Sequence, residues 1–127
     1  MIRRLAYRVG RRGAGLLFFA LVDIVFAFAL TEAPPTASYV FLAALLPLPV
    51  WAAIWGAVGL LCAVQAFMRV DRIAFAAASL LKVAWGTVYL IGWVMGAIPR
   101  GYVSVVIWLG FAGFVQLIAG WRENWER

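Results

Sequence analysis

The stretch LLFFALVDIVFAFAL, residues 16–30, is apolar at every position but one, Asp23. It is long enough, with its flanks, to be read as a helix crossing a bilayer, because a hydrocarbon core of about 30 Å needs about 20 helical residues. A matching anomaly follows downstream. SLLKVAWG, 79–86, carries the only lysine of the chain, Lys82, inside a second apolar run. The composition agrees with a membrane setting. The 127 residues are 67% hydrophobic with a net charge of +6, against about half apolar in a soluble domain.

Four stretches have the length and apolarity of spans, at about 14–31, 50–68, 73–96 and 102–121. No alternating polarity argues for a barrel, and only helices or closed barrels satisfy the backbone in lipid. The fold class expected is an all-α membrane protein, an antiparallel four-transmembrane-helix bundle forming one integral membrane domain over 1–127. The first span follows MIRRLAYRVGRRGAG, which resembles the opening of a signal peptide. Asp23 and the polar TEAPPTASY argue for a retained anchor instead.

Arginine distribution sets the expected orientation. Arg3, Arg4, Arg8, Arg11 and Arg12 precede span one, Arg69 and Arg72 lie between spans two and three, and Arg122 and Arg127 follow span four. The opposite side holds Arg100 alone. By the positive-inside rule both termini are cytoplasmic and the 32–49 connection lies outside. Within that connection YVFLAALLPLPVW is apolar but broken by Pro47 and Pro49, so it is expected to lie in the outer interface or cap the bundle. Trp51, Trp55 and Trp93 fall near the outer boundary and Trp121 and Trp125 near the inner one, the places an interfacial aromatic belt occupies. The clustering of arginine at span ends, with no soluble scaffold behind it, argues against nucleic acid as a partner. The lipid bilayer is the partner expected.

Asp23 lies nine residues beyond Ala14, and Lys82 nine beyond Ile73. Both spans enter from the arginine-rich side, so at 1.5 Å per residue each charge sits about 13 Å deep. Ala20 and Ala27 flank Asp23, while Ala74, Ala78 and Gly86 share the helical stripe of Lys82. Small residues allow close helix approach, so the two stripes are expected to face one another. An isolated charge at that depth costs roughly 2.5–3.5 kcal/mol on the insertion scale, and pairing offsets much of it. The expected role is a structural ion pair, within a subunit or across a homo-oligomer interface, with a proton or ion relay as the alternative. Gln65 and Gln116 are expected to make interhelical polar contacts, and the GxxxG spacing of Gly92 and Gly96 is a helix-packing signal.

Cys62 stands alone in an apolar run and reads as a small core residue. There is no histidine, and no nucleophile–base set, paired carboxylates or metal-ligand cluster is present. No catalytic residue, cofactor or metal is expected, and the chain is not expected to be an enzyme.

Together, LLFFALVDIVFAFAL, VQAFMRVDRIAFAAASLLKVAWGTVYLIGW and PRGYVSVVIWLGFAGF resemble small four-span membrane proteins of phages infecting actinobacteria, some of them holin-like. The resemblance covers most of the chain in general character. It implies a protein of the host inner membrane that oligomerises and permeabilises it during lysis. The alternatives are a structural or interaction protein, acting in superinfection exclusion or partner anchoring, and a small transporter.

Overall fold

The computed structural model describes residues 2–32, 34 and 36–121. Among these there are five helices and no strand: α1 (Ile2–Thr31), α2 (Ala37–Leu45), α3 (Leu48–Gln65), α4 (Arg72–Val94) and α5 (Gly101–Ala119). Four of them are long and apolar enough to cross a membrane: Gly10–Thr31, Leu48–Gln65, Arg72–Val94 and Gly101–Ala119. At 1.5 Å per residue these lengths correspond to about 27–35 Å, the thickness of a hydrocarbon core.

The local chemistry explains where each helix begins and ends. Gly10 takes φ 63° and ψ −170° inside α1, a conformation open to glycine that separates the arginine-bearing first turns from the apolar span. Pro47 and Pro49 open α3, where the N–H a proline lacks would have no helical partner. At the end of α4, Gly96 has φ 77°. Its N–H bonds the Trp93 carbonyl at 3.0 Å and the Ala97 N–H bonds the Gly92 carbonyl at 2.8 Å. This is a Schellman closure, which satisfies carbonyls that the helix end leaves open. Gly92 and Gly96 therefore do not form a GxxxG helix-packing face. Gly96 lies beyond the helix, and Gly92 is pressed against Ile98, whose Cδ1 would lie 2.5 Å from an added Cβ.

Helix neighbours are set by two close approaches. α1 lies along α3: a Cβ on Gly59 would meet the Ala20 carbonyl oxygen at 3.2 Å and Asp23 Cβ at 3.2 Å, and one on Gly56 would meet Ala27 Cβ at 3.8 Å. α4 lies along α5, where Gly86 faces Leu109 and Trp108. The small-residue stripes of α1 and α4 are divided: Ala20 shares one buried cluster with Ala74 and Ala78, whereas Ala27 and Gly86 face other helices. The Ala20 carbonyl and the Ala27 side chain lie against the glycines of α3, and Gly86 turns toward α5. Ala74 and Ala78 are fully buried in the core of the arginine-rich half, with Leu16, Phe19 and Val115.

The other half is aromatic. Trp55 and Trp85 have no exposed surface, Trp51 is buried, and their rings lie 5.2–5.3 Å from one another in edge-to-face pairs. Phe26 packs into the same cluster. Trp51 and Trp55 are thus core residues and not part of an interfacial belt, whereas Trp93 and Trp121 are exposed; Trp125 lies outside the described residues. α2 covers this end, with its Leu42 carbonyl accepting the Trp51 indole N–H at 3.0 Å. The outer surface carries Leu21, Phe28, Leu60, Leu80 and Val106, each more than 60% exposed. Apolar exposure on that scale matches a surface facing lipid.

Candidate functional site: a buried ion pair

Each membrane-competent helix contributes one side chain to a single desolvated site. Lys82 Nζ on α4 donates to Asp23 Oδ1 on α1 at 2.7 Å, and neither side chain has any exposed surface. The ammonium also lies over the rings of Trp55 on α3 and Phe111 on α5, 5.2 Å from each centroid. Ring faces carry partial negative charge, so two of them spread the attraction on Lys82 beyond its carboxylate. A desolvated cation–π contact is worth about 2 kcal/mol.

Backbone proximity makes the pairing reachable. Because position 59 is glycine, α3 approaches α1 next to the Asp23 Cβ and the Ala20 carbonyl. A larger residue would separate the helix that carries Trp55 from the one that carries Asp23. The pair is not saturated in hydrogen bonds. Asp23 Oδ2, Trp55 Nε1 and Trp85 Nε1 are buried with no partner among the described residues. Cys62, fully buried, points its thiol at the Ala74 carbonyl 3.8 Å away, the position of a small core residue.

A second polar group ties the arginine-rich end. Arg12 donates to Asp71 Oδ1 at 2.7 Å and to the Trp121 carbonyl at 3.3 Å, and its guanidinium lies 5.1 Å from the Phe75 ring centroid. Arg11 lies over Trp121 at 5.6 Å. Asp71 precedes α4 but makes no side-chain cap bond. Gln65 caps instead: its Oε1 accepts the Ala74 N–H at 2.9 Å, across the link from α3 to α4. Its polar contact is therefore to a helix N-terminus and not to another side chain. Gln116 departs from expectation, being exposed on α5 with no side-chain hydrogen bond among the described residues.

Trp55, expected in the interfacial belt, instead faces Lys82, and Phe111 and Gly59 carry no motif that marks them in the sequence. The Arg12–Asp71 pair was also missed, although an acid in the arginine-flanked link RVDR is its visible trace. Among the described residues no cluster of metal-ligating side chains occurs. The chain is, on its helices, an all-helical protein with four membrane-competent segments around a desolvated ion pair. Compared with protein-family profiles, curated proteins and solved structures, it finds no match.

Proposed function

We propose that the chain is a small, non-enzymatic protein of phage type in the bacterial host inner membrane. It spans as an antiparallel four-helix bundle with both termini cytoplasmic, and acts as a structural or interaction protein. One observation carries this choice over a pore through a single copy: Asp23 and Lys82, the charges best placed to line an aqueous path, have no exposed surface. A conducting path needs polar groups that water reaches, and here the ammonium is enclosed by a carboxylate and two aromatic rings.

A holin-like reading, in which several copies open the membrane, is favoured by one face of α5. Nothing lies within 4 Å of a Cβ at Gly110 or Gly113, and Val106 and Leu117 beside them are 70% and 62% exposed. Small residues of this kind let a second helix approach closely. Induced expression with membrane potential and dye entry as readouts separates the two readings. Growth with an intact potential, despite confirmed insertion, supports the structural role. Abrupt depolarisation with escape of a co-expressed endolysin overturns it in favour of the holin-like one. Reporter activity of a C-terminal fusion should be confined to the cytoplasm, and robust periplasmic activity would reverse the topology.

A further inference from the structure

At the arginine-rich end, α1, α4 and α5 line a cavity of about 310 Å³. Arg12, Arg72 and Gln116 supply its polar lining, and Phe75, Ala76 and Ala119 its apolar walls. The volume lies at the lower end of small-ligand sites, enough for a phosphoglycerol group and the start of an acyl chain. Its position is where a helix assembly with this arginine bias meets the headgroup layer.

Charge and geometry narrow the ligand. Arg12 is held by Asp71 and the Trp121 carbonyl and lies over Phe75, so its guanidinium is a fixed wall whose charge Asp71 offsets. Arg72 is exposed and makes no ion pair among the described residues. Gln116 brings two amide donors with no hydrogen bond to spend them on among those residues. The lining therefore carries about one uncompensated positive charge, a guanidinium fork and an amide, set against an apolar wall. A phosphodiester has one negative charge and two free oxygens that match a guanidinium fork. Basic pockets between transmembrane helices take anionic headgroups for the same reason.

We propose that this cavity binds the phosphodiester headgroup of an anionic phospholipid, with Arg72 and Gln116 on the phosphate and Phe75, Ala76 and Ala119 against the glycerol and acyl carbons. The apolar wall favours a lipid over free phosphate, which would leave it uncovered. The site is independent of which leaflet the arginine-rich end occupies, so a reversed topology leaves it standing.

The test uses the full-length protein in detergent, titrated with dioleoyl phosphatidylglycerol or dioleoyl phosphatidylcholine, with bound lipid counted by native mass spectrometry. Both lipids carry the phosphodiester, but phosphatidylcholine adds a cation that the uncompensated Arg72 charge disfavours, so a preference of about tenfold for the anionic lipid is expected. Arg72→Gln should abolish the preference and Gln116→Leu should reduce it. Arg69→Gln, exposed in the same link but not lining the cavity, should keep it. Should Arg72→Gln fail to fold by circular dichroism, Arg72→Lys serves: it keeps the charge, loses the fork and should bind with an intermediate preference. Equal loss in Arg69→Gln and Arg72→Gln would reduce the effect to a diffuse surface field and overturn the proposal. A preference unchanged in both Arg72 variants would do the same. Displacement of the lipid by inorganic phosphate would reassign the site to a free anion.

Discussion

Breaking the Asp23–Lys82 pair from either side should cost unequal amounts, and breaking it from both should cost little. Lys82→Met leaves a side chain of similar length but strips Asp23 Oδ1 of its donor, and Oδ2 already has none among the described residues. Both carboxylate oxygens then stand buried without a partner, so the cost falls at the upper end of the 3–5 kcal/mol typical of a broken buried pair, about 5 kcal/mol. Asp23→Asn leaves an amide oxygen near the ammonium, and the Trp55 and Phe111 faces at 5.2 Å remain. Its cost should fall at the lower end, about 3 kcal/mol. The double substitution removes both charges and leaves one uncharged amide, so its cost should be small beside the sum of the single changes. The cycle should therefore show a coupling well above 1 kcal/mol. Reversible unfolding in bicelles, followed by the fluorescence of the buried tryptophans, measures all four species. Additive single effects would show that the two residues do not depend on each other. Equal single effects would remove the protective role assigned to the rings.

Other substitutions test the surroundings of that pair. Gly59→Ala places a Cβ 3.2 Å from both the Ala20 carbonyl oxygen and Asp23 Cβ; the same unfolding assay should show a loss of about 1–3 kcal/mol. It should also weaken the Asp23–Lys82 coupling, because α1 and α3 must separate. Gln65→Leu leaves the buried Ala74 N–H without its acceptor, and a destabilisation of about 1–3 kcal/mol is expected. Gly96→Val forces a β-branched residue to φ 77°, which should lower the melting temperature, whereas Gly110→Val, with open space around it, should perturb the monomer far less.

The spans and the shared level of the two charges were legible because both follow from counting. Helical rise is constant, so equal residue counts from the arginine-rich end place Asp23 and Lys82 at one level. The place of Trp55 depends on where α3 begins. From the expected span start near residue 50, Trp55 lies about 7.5 Å in; α3 begins at Leu48, which carries the indole deeper, to a place beside Lys82. Helix adjacency was not legible, because small residues occur on every span and a stripe names no partner. Gly56 and Gly59 within WGAVGLL chose α1 for α3, and only their contact with Ala27 and Ala20 reveals it. The cap on α4 was hidden for a different reason. Asp71 has the residue type and place of an N-cap, but Arg12 takes its carboxylate, and Gln65 reaches from the preceding helix to do the capping.

That division of neighbours also explains why a costly pair is kept. In lipid there is little hydrophobic drive to hold one helix against another, so packing and polar contacts must do it. The glycines of α3 fasten α1 to it, and Gly86 fastens α4 to α5, which leaves two helix pairs to be joined. The Asp23–Lys82 hydrogen bond crosses between those pairs, and the same ammonium touches a ring from each remaining helix. Sliding one pair along the other by a single helical turn, about 5.4 Å, would strand both charges in the hydrocarbon. An apolar substitute at both positions fills the space but imposes no such penalty on a shifted register. A protein with Asp23→Leu and Lys82→Met should thus hold its stability while losing uniqueness. Cysteine cross-links placed between α1 and α4 should then form at more than one register, where the native chain permits one.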